Sequence, residues 1–376
     1  MTDSNAAPWN WEALINLAPP PRNPVRRAVS AVMTIAQHEE SPLPGNEEVV
    51  VQRWYGTLTL GPREARRELS QQLAPLGLSA LLQQGRRTDE ALITVIPALP
   101  KPADSRLWLA VLLFVLTVFS TVFVGGQSAT GFSVADGLIF GGTLLAILLA
   151  HELGHFIASR RLGVAVSYPF FIPMPLSIFG TMGAVIQMKE PAPDRGALFT
   201  IGVAGPLAGL ALAIPLTFIG LSLSQVAPLP ESNYFLEGNN LLYGGMKWLI
   251  FGRWLPSGGQ DVLLHPMAFA GWVGLLVTAL NLLPAGQLDG GHVLFGLLGR
   301  RQGEWASWAV IALLLGLGFV WSGWWMWAAL IFFFARHHAP ILDELTPLTP
   351  TQKAVGLLTL ILFALLFTPL PITVVP

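Results

Sequence analysis

From residue 107 onward the chain consists of long apolar runs separated by few charges. Several of these runs reach about 18 or more residues, long enough to cross a ~30 Å hydrocarbon core. Charge is unevenly spread. Residues 1–106 hold 22 of the 43 Lys, Arg, Asp and Glu side chains, and the following 270 residues hold 21. A small head of ordinary soluble composition therefore precedes a charge-poor body. This excludes a single soluble domain and a disordered chain. Net charge is −1 and no Lys/Arg-rich stripe is present, so nucleic acid is not an expected partner. There is no cysteine, so a metal would have to be held by His and carboxylate groups.

The expected fold is a polytopic α-helical membrane protein of about six to seven spans with a small N-terminal α+β soluble domain. Residues 1–47 read as a weakly structured arm, broken by Pro19, Pro20, Pro21 and Pro24. Residues 48–100 read as the soluble module. It has a β-rich run at 49–60, a helix at 62–73 behind an initial proline, and a closing hairpin from 77–84 to 91–96. The plainest role for this head is a solvated accessory domain; a regulatory or substrate-presenting role is the other reading. Residues 101–376 form the membrane body, with spans expected at 107–125, 135–159, 197–223, 266–284, 304–320, 324–335 and 352–370. Residues 241–251 read as an interfacial or re-entrant piece. Trp248, Trp254, Trp321, Trp324 and Trp325 suit the headgroup level.

The first 20 residues lack a basic stretch followed by an apolar one, so no signal peptide is expected there. Placing the head inside puts ten basic residues of the body and its flank, Arg336 among them, on the inner face, and leaves only Lys247 and Arg253 outside. The expected location is a bacterial inner membrane with the head in the cytoplasm.

One apolar run ends in His151-Glu152-Leu153-Gly154-His155. On a helix, positions i and i+4 share a face, so both imidazoles can reach one metal ion. Glu152 lies one residue on and can address a water without occupying a metal position. Zinc lowers the pKa of bound water toward ~7, and a carboxylate placed this way can take its proton during attack on a carbonyl. A single charged group at mid-bilayer costs ~2.5–3.5 kcal/mol on insertion scales. Three ionisable residues in one turn therefore need a reason. A buried polar cluster is the plain alternative.

A third ligand is required. Most acids of the body lie in loops or at span ends, Glu231 among them. Asp289 lies instead where an apolar span breaks and restarts, in NLLPAGQLDGGH at 281–292. His151 lies nine residues before Arg160, about 13 Å along a helix. Asp289 lies eleven before Arg300, about 16 Å if helical, so the two can meet at one depth. A helix N-cap is the plain reading of Asp289. Asn281 reads about equally as a helix-end cap or as a functional residue, through a hydrogen bond to a substrate carbonyl or a contact that orients a metal ligand.

These motifs resemble the site-2 proteases, intramembrane zinc metalloproteases that cut membrane-spanning segments. HELGH is similar to their first motif and the Asn-x-x-Pro…Leu-Asp-Gly pattern to their second. The resemblance implies His151, His155 and Asp289 as ligands of one zinc ion and Glu152 as the catalytic acid/base. It implies that GVAGPLAG at 202–209 is the small-residue helix packed beside the site. The chain looks most like the subgroup without a PDZ domain that includes the plant chloroplast gravitropism-deficient, yellow-green proteins and bacterial relatives. It departs from that subgroup at His292, where Arg is expected; His292 is not read as a ligand. His38, His265, His337 and His338 are read as surface or interfacial.

Residues 164–190 are implied to form a re-entrant strand or hairpin. Its stretch from Gly183 through Ala184, Val185, Ile186 and Gln187 to Met188 is expected to pair with an extended substrate backbone. The expected partners are a membrane-spanning protein and the lipid bilayer. Other membrane metalloproteases, a catalytically silent scaffold and a metal transporter are the competing classes.

Overall fold

The computed structural model describes residues 22–43, 46–87, 89–98, 105–128, 131–230, 234–335 and 341–375. Residues 1–21 of the expected arm lie outside them, as do Glu231, Arg336, His337 and His338.

The head begins earlier than expected. Residues 22–43, assigned above to the arm, form α1 (Arg22–Ser30) and β1 (Met33–Leu43). The prolines hid an apolar stripe. Val25, Ala28, Val29 and Val32 recur at helical spacing and are fully buried or nearly so in the head's core. The expected boundary between residues 47 and 48 falls inside β2 (Asn46–Leu58). Then follow α2 (Pro62–Leu73), β3 (Leu78–Gln84) and β4 (Ala91–Pro97). Pro62 occupies the first turn of α2, where its missing N–H costs nothing, and Ala65, Leu69 and Leu73 point one helix face inward. The strands form one antiparallel sheet in the order β1-β2-β4-β3.

Among the described residues, three helices of the body are long and apolar enough to cross a membrane: α3 (Leu107–Gly125), α4 (Val134–Arg161) and α5 (Arg195–Ser222). A two-residue pair of strands, β5 (Gln127–Ser128) and β6 (Gly131–Phe132), turns α3 into α4. Between α4 and α5 lies an antiparallel hairpin, β7 (Phe170–Met174) and β8 (Gly180–Val185). Asp194 caps α5 by accepting from the Ala197 N–H at 2.8 Å.

Beyond α5 the chain builds an end cap from two antiparallel strand pairs. β9 (Gln225–Pro228) pairs with β11 (Gln260–Leu263), and β10 (Tyr234–Glu237) with the C-terminal β12 (Ile372–Val375). The short helix α6 (Leu241–Phe251) lies between them in sequence. Its Lys247 is fully buried and bonded to Glu237 at 3.0 Å and Asp261 at 2.9 Å.

The remaining helices are α7 (Pro266–Asn281), α8 (Asp289–Leu298), α9 (Arg300–Leu317), α10 (Gly323–Leu330), which continues as a π turn over Ile331–Ala335, and α11 (Pro350–Leu366). The span expected at 266–284 stops at Asn281, because the chain leaves the helix before Pro284. Trp324, expected at the headgroup level, is buried instead, and its indole N–H donates to the Pro369 carbonyl at 2.7 Å.

Candidate metal centre

Three elements bring the centre together. α4 presents His151 and His155 one turn apart, α5 crosses behind them, and the α7–α8 junction supplies Asp289. The close crossing of α4 and α5 depends on residues without side chains. A Cβ at Gly205 would overlap the His155 ring. The junction is equally tight: a Cβ at Gly290 would overlap the Leu282 carbonyl.

The irregular backbone of 282–288 is tolerable because protein buries it. Leu282, Leu283 and Ala285 are buried, and the Gly286 N–H donates to the Ser307 hydroxyl of α9 at 2.9 Å. Asp289 is the first residue of α8 rather than its cap, since Leu288 occupies the cap position. Its carboxylate is thereby turned toward α4.

The donors form a near-equilateral triangle. His151 Nε2 and His155 Nε2 are 3.1 Å apart. Asp289 Oδ2 lies 3.2 Å from the first and 3.3 Å from the second. Nitrogen and oxygen donors held tetrahedrally at about 2.0–2.1 Å from zinc lie about 3.3–3.4 Å from one another, so the residues present fit such an ion. Among the described residues this is the one group of His and acid side chains able to close on one metal ion.

His155 is further fixed from behind. Its Nδ1 lies 2.8 Å from the Ile201 carbonyl on α5. A carbonyl can only accept, so Nδ1 carries the proton and Nε2 keeps its lone pair for a metal. This contact is invisible in sequence because it uses a backbone oxygen. Only the resemblance of 202–209 to a helix beside the site pointed toward it.

Glu152 is buried and lines a cavity of about 690 Å³ together with the triangle. Asn281, at the end of α7, reaches the same place; its Nδ2 is 3.4 Å from His151 Nε2. His292 also borders the cavity but stands outside the triangle. His38 stacks on Trp54 in the head, with ring centroids 3.7 Å apart, and His265 caps α7.

The strand expected at 183–188 is divided. Gly183, Ala184 and Val185 belong to β8, where Phe171 pairs with Ala184 and Phe170 with Val185. Ile186, Gln187 and Met188 continue past β7, and residues 187–189 pair instead with residues 165–167. The Ser167 N–H donates to the Gln187 carbonyl at 2.9 Å, and the Lys189 N–H to the Ala165 carbonyl at 2.8 Å. Residues from Ala184 to Met188 form one wall of the cavity, facing the HELGH turn. Gln287, which sequence reasoning did not single out, is another wall residue. It stands two residues before Asp289 in the second motif.

An apolar helical body with a His-His-Asp cluster beside a carboxylate has the donor set of a metalloprotease, and the comparisons show what it is similar to. Residues 139–322 match the model of Peptidase family M50. The relatives include the "Probable zinc metalloprotease EGY2, chloroplastic" of Arabidopsis thaliana, 36% identical over 241 residues, covering 63% of this chain and 42% of that protein. The "Probable zinc metalloprotease EGY1, chloroplastic" of Oryza sativa subsp. japonica is 37% identical over 233 residues, covering 53% of this chain and 40% of that protein. The "Probable zinc metallopeptidase EGY3, chloroplastic" of Arabidopsis thaliana is 31% identical over 256 residues, covering 61% and 42%. The chain thus spans about two-fifths of the length of these relatives. No solved structure is a significant match to it.

Proposed function

We propose that this chain is an intramembrane zinc metalloprotease that hydrolyses peptide bonds in or near membrane-spanning segments of membrane proteins. One observation carries the reading. Three metal-donor atoms within 3.3 Å of one another share a cavity with the carboxylate of Glu152, inside an apolar helical body.

In this reading His151, His155 and Asp289 hold one zinc ion per chain. Zinc supplies a Lewis acid that polarises a carbonyl and makes water nucleophilic near neutral pH. Glu152 takes the proton from the attacking water as oxygen bonds to the scissile carbonyl carbon. It returns that proton to the amide nitrogen as the C–N bond breaks. Asn281 Nδ2 donates to the carbonyl oxygen as negative charge develops there. Gly183, Ala184, Val185, Ile186 and Gln187 hold the substrate as an extended strand. A helix hides its peptide bonds, so this step exposes the bond to be cut.

The body is proposed to cross the bilayer six to seven times. All basic residues of the body and its flank except Lys247 and Arg253 then face the cytoplasm of a bacterial cell, and the head, extended by α1 and β1, stands on that side. The membrane-spanning substrate and the lipid bilayer are the proposed partners.

The test is metal removal and return. Purified protein stripped with a chelator is expected to lose cleavage of a panel of membrane-spanning substrates, and zinc is expected to restore it. Cleavage that persists in metal-free protein contradicts the proposal.

A further inference from the structure

The head's sheet ends on β3, an edge strand whose outer backbone groups would otherwise face water. Residues from the α10–α11 connection fill that edge. The Leu82 N–H donates to the Leu342 carbonyl at 2.8 Å, and the Glu344 N–H to the Leu82 carbonyl at 2.9 Å. Leu82 and Asp343 are thus bridged in parallel, 261 residues apart in the chain, and Leu345 packs on the head's core.

The same segment grips the body on its other side. The Leu342 N–H donates to the Ala192 carbonyl at 3.0 Å, and the Asp343 carbonyl accepts from the Arg195 N–H at 3.2 Å. Ile341 is buried in a cluster with Ala192 and Phe295, against which Met188 packs, and Met188 is part of the cavity wall. Arg195 begins α5, the helix whose Ile201 carbonyl holds His155.

Two acids hold the segment in this shape. Asp343, fully buried, accepts from the N–H groups of Leu345 at 2.9 Å and Thr346 at 3.0 Å. Glu344, nearly buried, accepts from the Arg300 guanidinium through Nε at 2.8 Å and a second nitrogen. An accessory domain tethered by one linker has no use for such a clamp.

We infer that residues 341–346 brace the cavity strand against the head, so that Asp343 and Glu344 are positioning residues for bound substrate. They touch neither the substrate nor the metal donors. They act through Ala192, Ile341 and Met188 on the wall formed by residues 184–188. The substrate half of this inference rests on the proposed protease activity. The structural half does not.

The test uses the full chain in detergent or nanodiscs with Glu344→Lys, Arg300→Glu and the double charge exchange. Amide hydrogen exchange is read at Ser167 and Lys189, whose bonds to Gln187 and Ala165 hold the cavity strand. Each single variant is expected to speed exchange at both amides about 10-fold, and the exchanged pair to restore most of the loss. On a membrane-spanning substrate, KM is expected to rise about 5-fold, with kcat and zinc content unchanged. Glu344→Gln, a gentler variant, is expected to shift the same readouts less.

Exchange that quickens at 341–346 alone, with Ser167 and Lys189 unaffected, overturns the inference. So does failure of the double exchange to restore them. A wild-type protein that cleaves nothing counts against the proposed activity, and hydrogen exchange then decides the brace by itself.

Discussion

His151 Nε2 and Asp289 Oδ2 lie 3.2 Å apart although 138 residues separate them in the chain. The distance joins the helix α4, which carries the HELGH turn, to the helix restart at α8. Replacing Asp289 with Ala is expected to cut zinc content to less than a tenth of wild type. Asn281→Ala is expected to keep the metal and lower kcat about 10²–10³-fold, the usual cost of losing one oxyanion donor. Metal analysis and turnover on the same preparations separate the two roles.

Gly205 is expected to accept no side chain. In Gly205→Ala the added methyl meets the His155 ring, so the ring or α5 must move. Overpacking of this kind costs about 1–3 kcal/mol. The variant is expected to melt earlier in detergent and to bind zinc more weakly, because a displaced ring loses its bond to Ile201. Unchanged metal affinity would show that the α4–α5 crossing does not set the ligand geometry.

Lys247 is expected to matter for folding and not for chemistry. Its ammonium stands between the carboxylates of Glu237 and Asp261 in the end cap. Lys247→Met leaves both acids buried without their cation, which for a buried pair costs about 3–5 kcal/mol. Unfolding should shift by that amount, while activity per folded molecule stays at the wild-type level. A shift below about 0.5 kcal/mol would mean that water reaches the cluster and solvates it.

Proline placed in the cavity wall tests the strand proposal. Gln187→Pro removes the N–H that donates to the Ser167 hydroxyl at 2.9 Å, and Val185→Pro disturbs the end of β8. Both variants are expected to retain zinc and to lose most cleavage through a higher KM. Intact cleavage in a folded protein would exclude substrate pairing along this wall.

Much of the site is legible because its signals are local. The i, i+4 spacing of His151 and His155 needs only helix geometry, and Glu152 follows from being the next residue. Asp289 is legible by elimination among a few body acids and by matched depth. The Ile201 carbonyl leaves no mark in sequence, because any residue supplies a backbone oxygen. The start of the head is not legible in sequence, because Pro19, Pro20, Pro21 and Pro24 mask the stripe Val25, Ala28, Val29 and Val32. The pairing of residues 342–344 with β3 was also hidden. It joins partners about 260 residues apart, and neither strand by itself says which edge it will fill.

The most direct measurement compares wild type with Glu152→Gln, each first shown to hold one zinc ion per chain, on a single membrane-spanning substrate. Glu152 stands beside the donor triangle without belonging to it, so removing its charge should spare the metal. The predicted result is equal zinc and a fall in cleavage of about 10²-fold or more, the scale of a lost general base. Equal cleavage by the two proteins would contradict the protease reading.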